Sequence, residues 1–87
     1  MKEGEALDFP CEYPVKVMGL NTKKFIKEII LIIEKHTGEI PESSISYKIS
    51  KNAKYISLTV LVNAPARSFL EDIYLDLRAS KSVLVLL

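Results

Sequence analysis

Lys54-Tyr55-Ile56-Ser57-Leu58-Thr59-Val60-Leu61-Val62-Asn63-Ala64 is the stretch on which the reading of this chain turns. Ile56, Leu58, Val60 and Val62 recur at period two, with Tyr55, Ser57, Thr59 and Leu61 between them. In a strand, that alternation sends the first set to a core and the second to the opposite face of a sheet. The first set is wholly aliphatic, and Ile56, Val60 and Val62 are β-branched, which suits a pleated surface. At about 11 residues the stretch is long for a strand and predicts a central one.

Immediately upstream, Ser44 to Ser50 alternates again, with Ile45, Tyr47 and Ile49 on one side. Lys51-Asn52-Ala53 forms a short turn in which Asn52 tolerates positive φ, so a hairpin leads into the central strand. Downstream, Asn63-Ala64-Pro65 ends the strand, and Pro65 suits the first position of a helix. That helix runs to Ala79, with Ala66, Phe69, Leu70, Ile73, Tyr74 and Leu77 on one face and Leu75 as the exception. Ser82 to Leu87 then reads as a last strand, apolar on both faces.

Toward the N-terminus, Tyr13, Val15 and Val17 alternate with Pro14, Lys16 and Met18 in a first strand that Gly19 closes. Asn21 or Thr22 caps a helix from Thr22 to His36. Phe25, Ile26, Ile29, Ile30, Ile32 and Ile33 fall within an arc of about 160° on it. Leu31 alone among its apolar residues lies on the charged side, and Gly38 fits the left-handed position that ends the helix.

The order is therefore β-α-β-β-α-β. Right-handed crossovers joined by a hairpin give an α+β, ferredoxin-like sandwich: four antiparallel strands in the order 4-1-3-2, with both helices on one face. The helices are expected to meet Val15, Val17, Ile45, Tyr47, Ile49, Ile56, Leu58, Val60 and Val62. Residues 1–8 are expected as a flexible polar tail, and residues 9–87 as a single domain.

A net charge of +1, from 12 basic and 11 acidic residues, is too balanced for a protein that holds a polyanion by counterion release. No apolar run approaches 18 residues, and no leader pattern precedes the domain, so neither a membrane partner nor export is expected. With a single cysteine, Cys11, no internal disulfide can form, and the cytoplasm is the expected compartment. Cys11 and the sole histidine, His36, sit at a strand entrance and a helix end with no third orienting group. One Cys and one His cannot supply a structural zinc site, and three glycines cannot build a phosphate cradle. No catalytic residue, metal or cofactor is therefore expected. Lys54-Tyr55-Ile56-Ser57-Leu58 has the Lys-aromatic start of an RNA-binding strand. It lacks that pattern's glycines and second aromatic, so nucleic acid is not an expected partner.

Several motifs carry a family resemblance: Phe9-Pro10, Lys16-Val17-Met18-Gly19, His36 at a helix end, the Ser50 to Tyr55 turn into Ser57-Leu58-Thr59-Val60, Asn63-Ala64, and Ile73-Tyr74 with Leu77. In combination they resemble the YbeD-like family of small uncharacterised bacterial proteins over nearly all the chain after residue 8. Two departures are Lys51-Asn52-Ala53, where the family suggests a glycine-containing turn, and Pro65, where a Ser or Thr cap is common. The resemblance implies a ferredoxin-like fold akin to ACT regulatory domains, which bind a small effector, often an amino acid, beside the loop after the first strand. Here that loop is Gly19, Leu20, Asn21 and Thr22.

Two functions of different kinds follow. One is a non-catalytic interaction or regulatory module that meets another protein or a copy of itself, and the other is an ACT-like sensor of a small ligand. For the first, the predicted edge strand offers Met18, Leu84, Val85 and Leu86 as an interface, with the valine or the leucines on the open face.

Overall fold

The computed structural model describes residues 8–87; most of the tail expected at residues 1–8 lies outside them. The elements are β1 (Cys11–Leu20), α1 (Lys23–Thr37), a single 3-10 turn (Glu42–Ser44), β2 (Ile45–Ile49), β3 (Tyr55–Ala64), α2 (Arg67–Ala79) and β4 (Val85–Leu86). The strands form one sheet in the order β2-β3-β1-β4, every neighbouring pair antiparallel. This is the expected ferredoxin-like order read from the opposite edge.

β1 and β3 pair over their full ten-residue lengths, from Cys11 opposite Ala64 to Leu20 opposite Tyr55. Opposed residues share a face, so Val15 with Val60 and Val17 with Leu58 form the floor of the core. Phe25, Ile29 and Ile33 of α1 and Leu70, Ile73 and Leu77 of α2 close it from above. Leu31 and Leu75 point away, 57% and 60% exposed, as their helical phase requires.

Each helix end has a local cause. The Phe25 N–H donates to Thr22 Oγ1 at 3.0 Å, which caps the first turn of α1. Gly38 ends it at φ 80°, with its N–H on the Glu34 carbonyl at 2.8 Å. α2 starts later than predicted. Ala66, at φ −157°, is still extended and serves as the cap, so Pro65 precedes the helix instead of opening it.

Three further expectations are corrected. Asn52 does not take the positive φ of the β2–β3 turn; Ala53 does, at 61°. Asn52 Oδ1 is held by the Ser50 hydroxyl at 3.0 Å and the Lys54 N–H at 3.2 Å, which moves the left-handed residue one place on. The last strand is Val85–Leu86, not Ser82 to Leu87. The Ser80 and Ser82 hydroxyls both donate to Glu28 on α1, and the Val83 N–H closes a turn on Ser80, so the chain joins the sheet late. Finally, Tyr47 and Ile49 share the inner face by register, opposite Leu58 and Ile56, yet are 54% and 53% exposed. Alternation chose their face correctly, but the helix layer does not extend over β2.

Candidate functional site

The loop after β1 begins later than the sequence placed it, because Gly19 and Leu20 still belong to the strand. Gly19 is buried opposite Ile56, and a Cβ there would overlap the Phe25 ring. Its missing side chain lets an α1 aromatic lie against the backbone of β1. Asn21 donates its backbone N–H to the Lys54 carbonyl at 2.9 Å and its Nδ2 to the Ala53 carbonyl at 3.1 Å. Asn21 thereby ties the loop after β1 to the β2–β3 turn, while Thr22 caps α1. Beside the loop, Leu20, Thr22, Lys24, Phe25, Lys81 and Leu84 border a hollow of about 240 Å³.

At the β4 edge the register settles which residues share a face. Met18 stands opposite Val85 and Val17 opposite Leu86. Val17 is buried in the core, so Leu86 turns inward while Met18 and Val85 lie side by side on the open face. Leu84 (52%), Val85 (39%) and Leu87 (62%) are exposed. Backbone bonds from Leu84 N–H to the Met18 carbonyl (2.9 Å) and from Leu87 N–H to the Lys16 carbonyl (3.0 Å) flank the short ladder. Tyr74 Oη reaches the Leu87 carbonyl at 3.4 Å; burial, then the neighbouring Tyr13, pushes its phenol up to about 12.

Polar side chains converge at two places that the sequence did not reveal. His36 Nε2 lies 2.7 Å from Asp76 Oδ2, and Lys35 Nζ lies 3.1 Å from the same oxygen. The hydrogen bond from His36, then that from Lys35, holds the Asp76 carboxyl below its ordinary range. The Phe69 and His36 rings meet in a T-shaped arrangement, their centroids 6.5 Å apart. A cleft of about 360 Å³ opens here, with His36, Thr37, Ile40, Leu61, Asn63 and Phe69 among its walls. Cys11 is not in this lining; it is half-buried, opposite Ala64 at the start of β1. The histidine is thus oriented by a carboxylate, but the structure brings no thiol to it.

The second convergence is Glu28 with the Ser80 and Ser82 hydroxyls, the latter at 2.8 Å. The bond from Ser80 and then that from Ser82 lower the Glu28 carboxyl. Its role is to fasten the α2–β4 turn to α1. Both clusters join side chains from separate elements, and neither leaves a spacing signal in the sequence. The adjacent Lys35-His36 at a helix end was visible; that Asp76 would face it follows only once the helices are packed. Among the described residues, no group of three His, Cys, Asp or Glu side chains is placed to hold a metal ion, and no helix is long and apolar enough to cross a membrane.

Comparison with known proteins places this geometry in context. Residues 4–87 match the model of a family described as "Protein of unknown function (DUF493)". A UPF0250 protein of Hahella chejuensis is 35% identical over 86 residues, covering 99% of this chain and 94% of its own. One from Azotobacter vinelandii is 35% identical over 78 residues, covering 88% and 85%. The solution structure of protein HP0495 from H. pylori superposes with a TM-score of 0.73 at 23% identity, covering 98% of this chain and 89% of that one. At that identity the likeness speaks to the fold.

Proposed function

The chain belongs to the DUF493 (UPF0250) family of small bacterial proteins, and from that premise we propose that it is a non-catalytic interaction or regulatory module acting through protein–protein contacts. The observation that carries this reading is the uncovered apolar surface at the β4 edge. Met18 and Val85 adjoin on the open face, and Leu84 and Leu87 stand exposed on either side of the short strand. Exposed apolar groups collected at a sheet edge favour a macromolecular partner over a reacting small molecule. Photo-crosslinking in cells tests it, with a benzophenone side chain at Leu84 or Val85 and a control at Ser68 on α2. The expected result is one discrete protein adduct from the edge positions and none from the control. An edge that gives no adduct overturns the reading.

A second reading, an ACT-like sensor of a small effector, is favoured by the hollow beside Leu20 and Thr22, where Lys24 and Lys81 could meet a carboxylate. Against it stand the ring of Phe25 over Gly19 and the hydrogen bonds already made by Asn21 and Thr22. Thermal melting with a panel of free amino acids separates the two, because a sensor gains stability from its ligand by mass action.

A further inference from the structure

β2 ends the sheet, and among the described residues nothing pairs with its outer side. After a half-buried Ile45, the strand is exposed along Ser46, Tyr47, Lys48 and Ile49. The Ser50 N–H donates to the Tyr55 carbonyl at 2.9 Å, on the register that pairs Ile45 with Val60 and Ile49 with Ile56. In an antiparallel ladder, residues alternate between bonding the neighbour and facing away. Ser46, Lys48 and Ser50 therefore turn their backbone groups to β3. Ile45, Tyr47 and Ile49 turn theirs outward, and on this strand they also carry the apolar side chains.

We propose that this edge binds β2 of a second copy of the chain, antiparallel, with Tyr47 opposite its own counterpart. The inference goes beyond the interaction reading above and concerns the opposite edge of the sheet. In this register Ile45 stands opposite Ile49 of the second copy, and every outward N–H and C=O on the two strands meets its complement. The side chains also fit. Tyr47 and Ile49, left bare by the helix layer, are covered by Tyr47 and Ile45 of the second copy, while Lys48 stands opposite Ser46. A shift of two residues one way sets Lys48 against its own counterpart. The opposite shift leaves Ile49 beyond the end of the partner strand. Like charges directly opposed weaken a strand pair, so the charge pattern selects the same register as the hydrogen bonds.

One five-residue strand from each copy covers less than the roughly 1,600 Å² of a standard interface, so the dimer is reversible. Sedimentation velocity on the full chain, from micromolar to several hundred micromolar, is expected to show a concentration-dependent shift from monomer to dimer. Tyr47→Lys should abolish the shift. Ser46 lies on the open face, so its substitution leaves the core alone and reads out the register. Ser46→Glu, facing Lys48 of the second copy, should lower the dimer's dissociation constant roughly two- to tenfold at low salt, and Ser46→Lys should raise it by a similar factor. Circular dichroism melts confirm that each variant is folded. A chain that stays monomeric throughout, a dimer indifferent to Tyr47→Lys, or two Ser46 variants that move the constant in the same direction overturns the proposal. Crosslinking at Leu84 and Val85 is scored separately, so the loss of this dimer and the loss of the β4-edge reading are distinguishable.

Discussion

Through one carboxylate, Glu28 fastens the α2–β4 turn to α1. Its two oxygens take the Ser80 and Ser82 hydroxyls, and those bonds lower its folded pKa. A carboxyl depressed in the folded state contributes stability above its unfolded value, about 4.3 for glutamate, and loses it as pH falls through the folded one. Asp76, lowered by His36 and Lys35, acts in the same direction. Tyr74 acts oppositely: raised to about 12, it contributes fully below its unfolded value of about 10 and loses that contribution as pH climbs past it. Melting temperature against pH should therefore fall less steeply on the acid side for Glu28→Gln than for the natural chain. An unchanged acid limb would assign that dependence to other groups. Little of this was legible in the sequence, where Glu28 reads as one more residue on the charged side of the first helix. Gly19 was legible only as a glycine; the reason for it is an aromatic ring contributed by the next element.

Among the elements, the strands and helices with strong periodicity were readable, because period two and the helical arc are set by the backbone before any packing occurs. The central position of β3 and the outward Leu31 and Leu75 follow from that alone. Alternation gives the face of a residue and not the reach of what covers it, so Tyr47 and Ile49 were assigned to a core that stops short of them. β4 was overextended for a related reason, since Ser82, whose hydroxyl is bound for Glu28, looks like an ordinary strand residue. The late start of α2 leaves a cap without a side-chain acceptor at Ala66. Ala66→Ser places a hydroxyl where the first-turn N–H groups point and should raise stability by about 1 kcal/mol, measured by urea unfolding. No gain would mean that Ala66 cannot turn a side-chain oxygen toward that turn.

For the molecule as a whole, topology was the most legible property and the candidate site the least. The order β2-β3-β1-β4 follows from element order and handedness. An interface depends on which surfaces the packing leaves bare, and that cannot be counted along a chain. The ladder between β1 and β3 has a consequence in time as well as in space. β2 and β3 meet across a tight turn, but β1 reaches β3 only after the intervening helix and hairpin have been brought round. Closing so long a loop costs entropy, so the rate-limiting barrier is expected at the docking of β1 on the preformed hairpin, with β4 joining afterwards. In stopped-flow chevrons, Val60→Ala should chiefly slow refolding, whereas Leu86→Ala should leave refolding nearly unchanged and hasten unfolding. On that expectation β4 governs how long the folded molecule survives, and the long β1–β3 pair governs how quickly it forms.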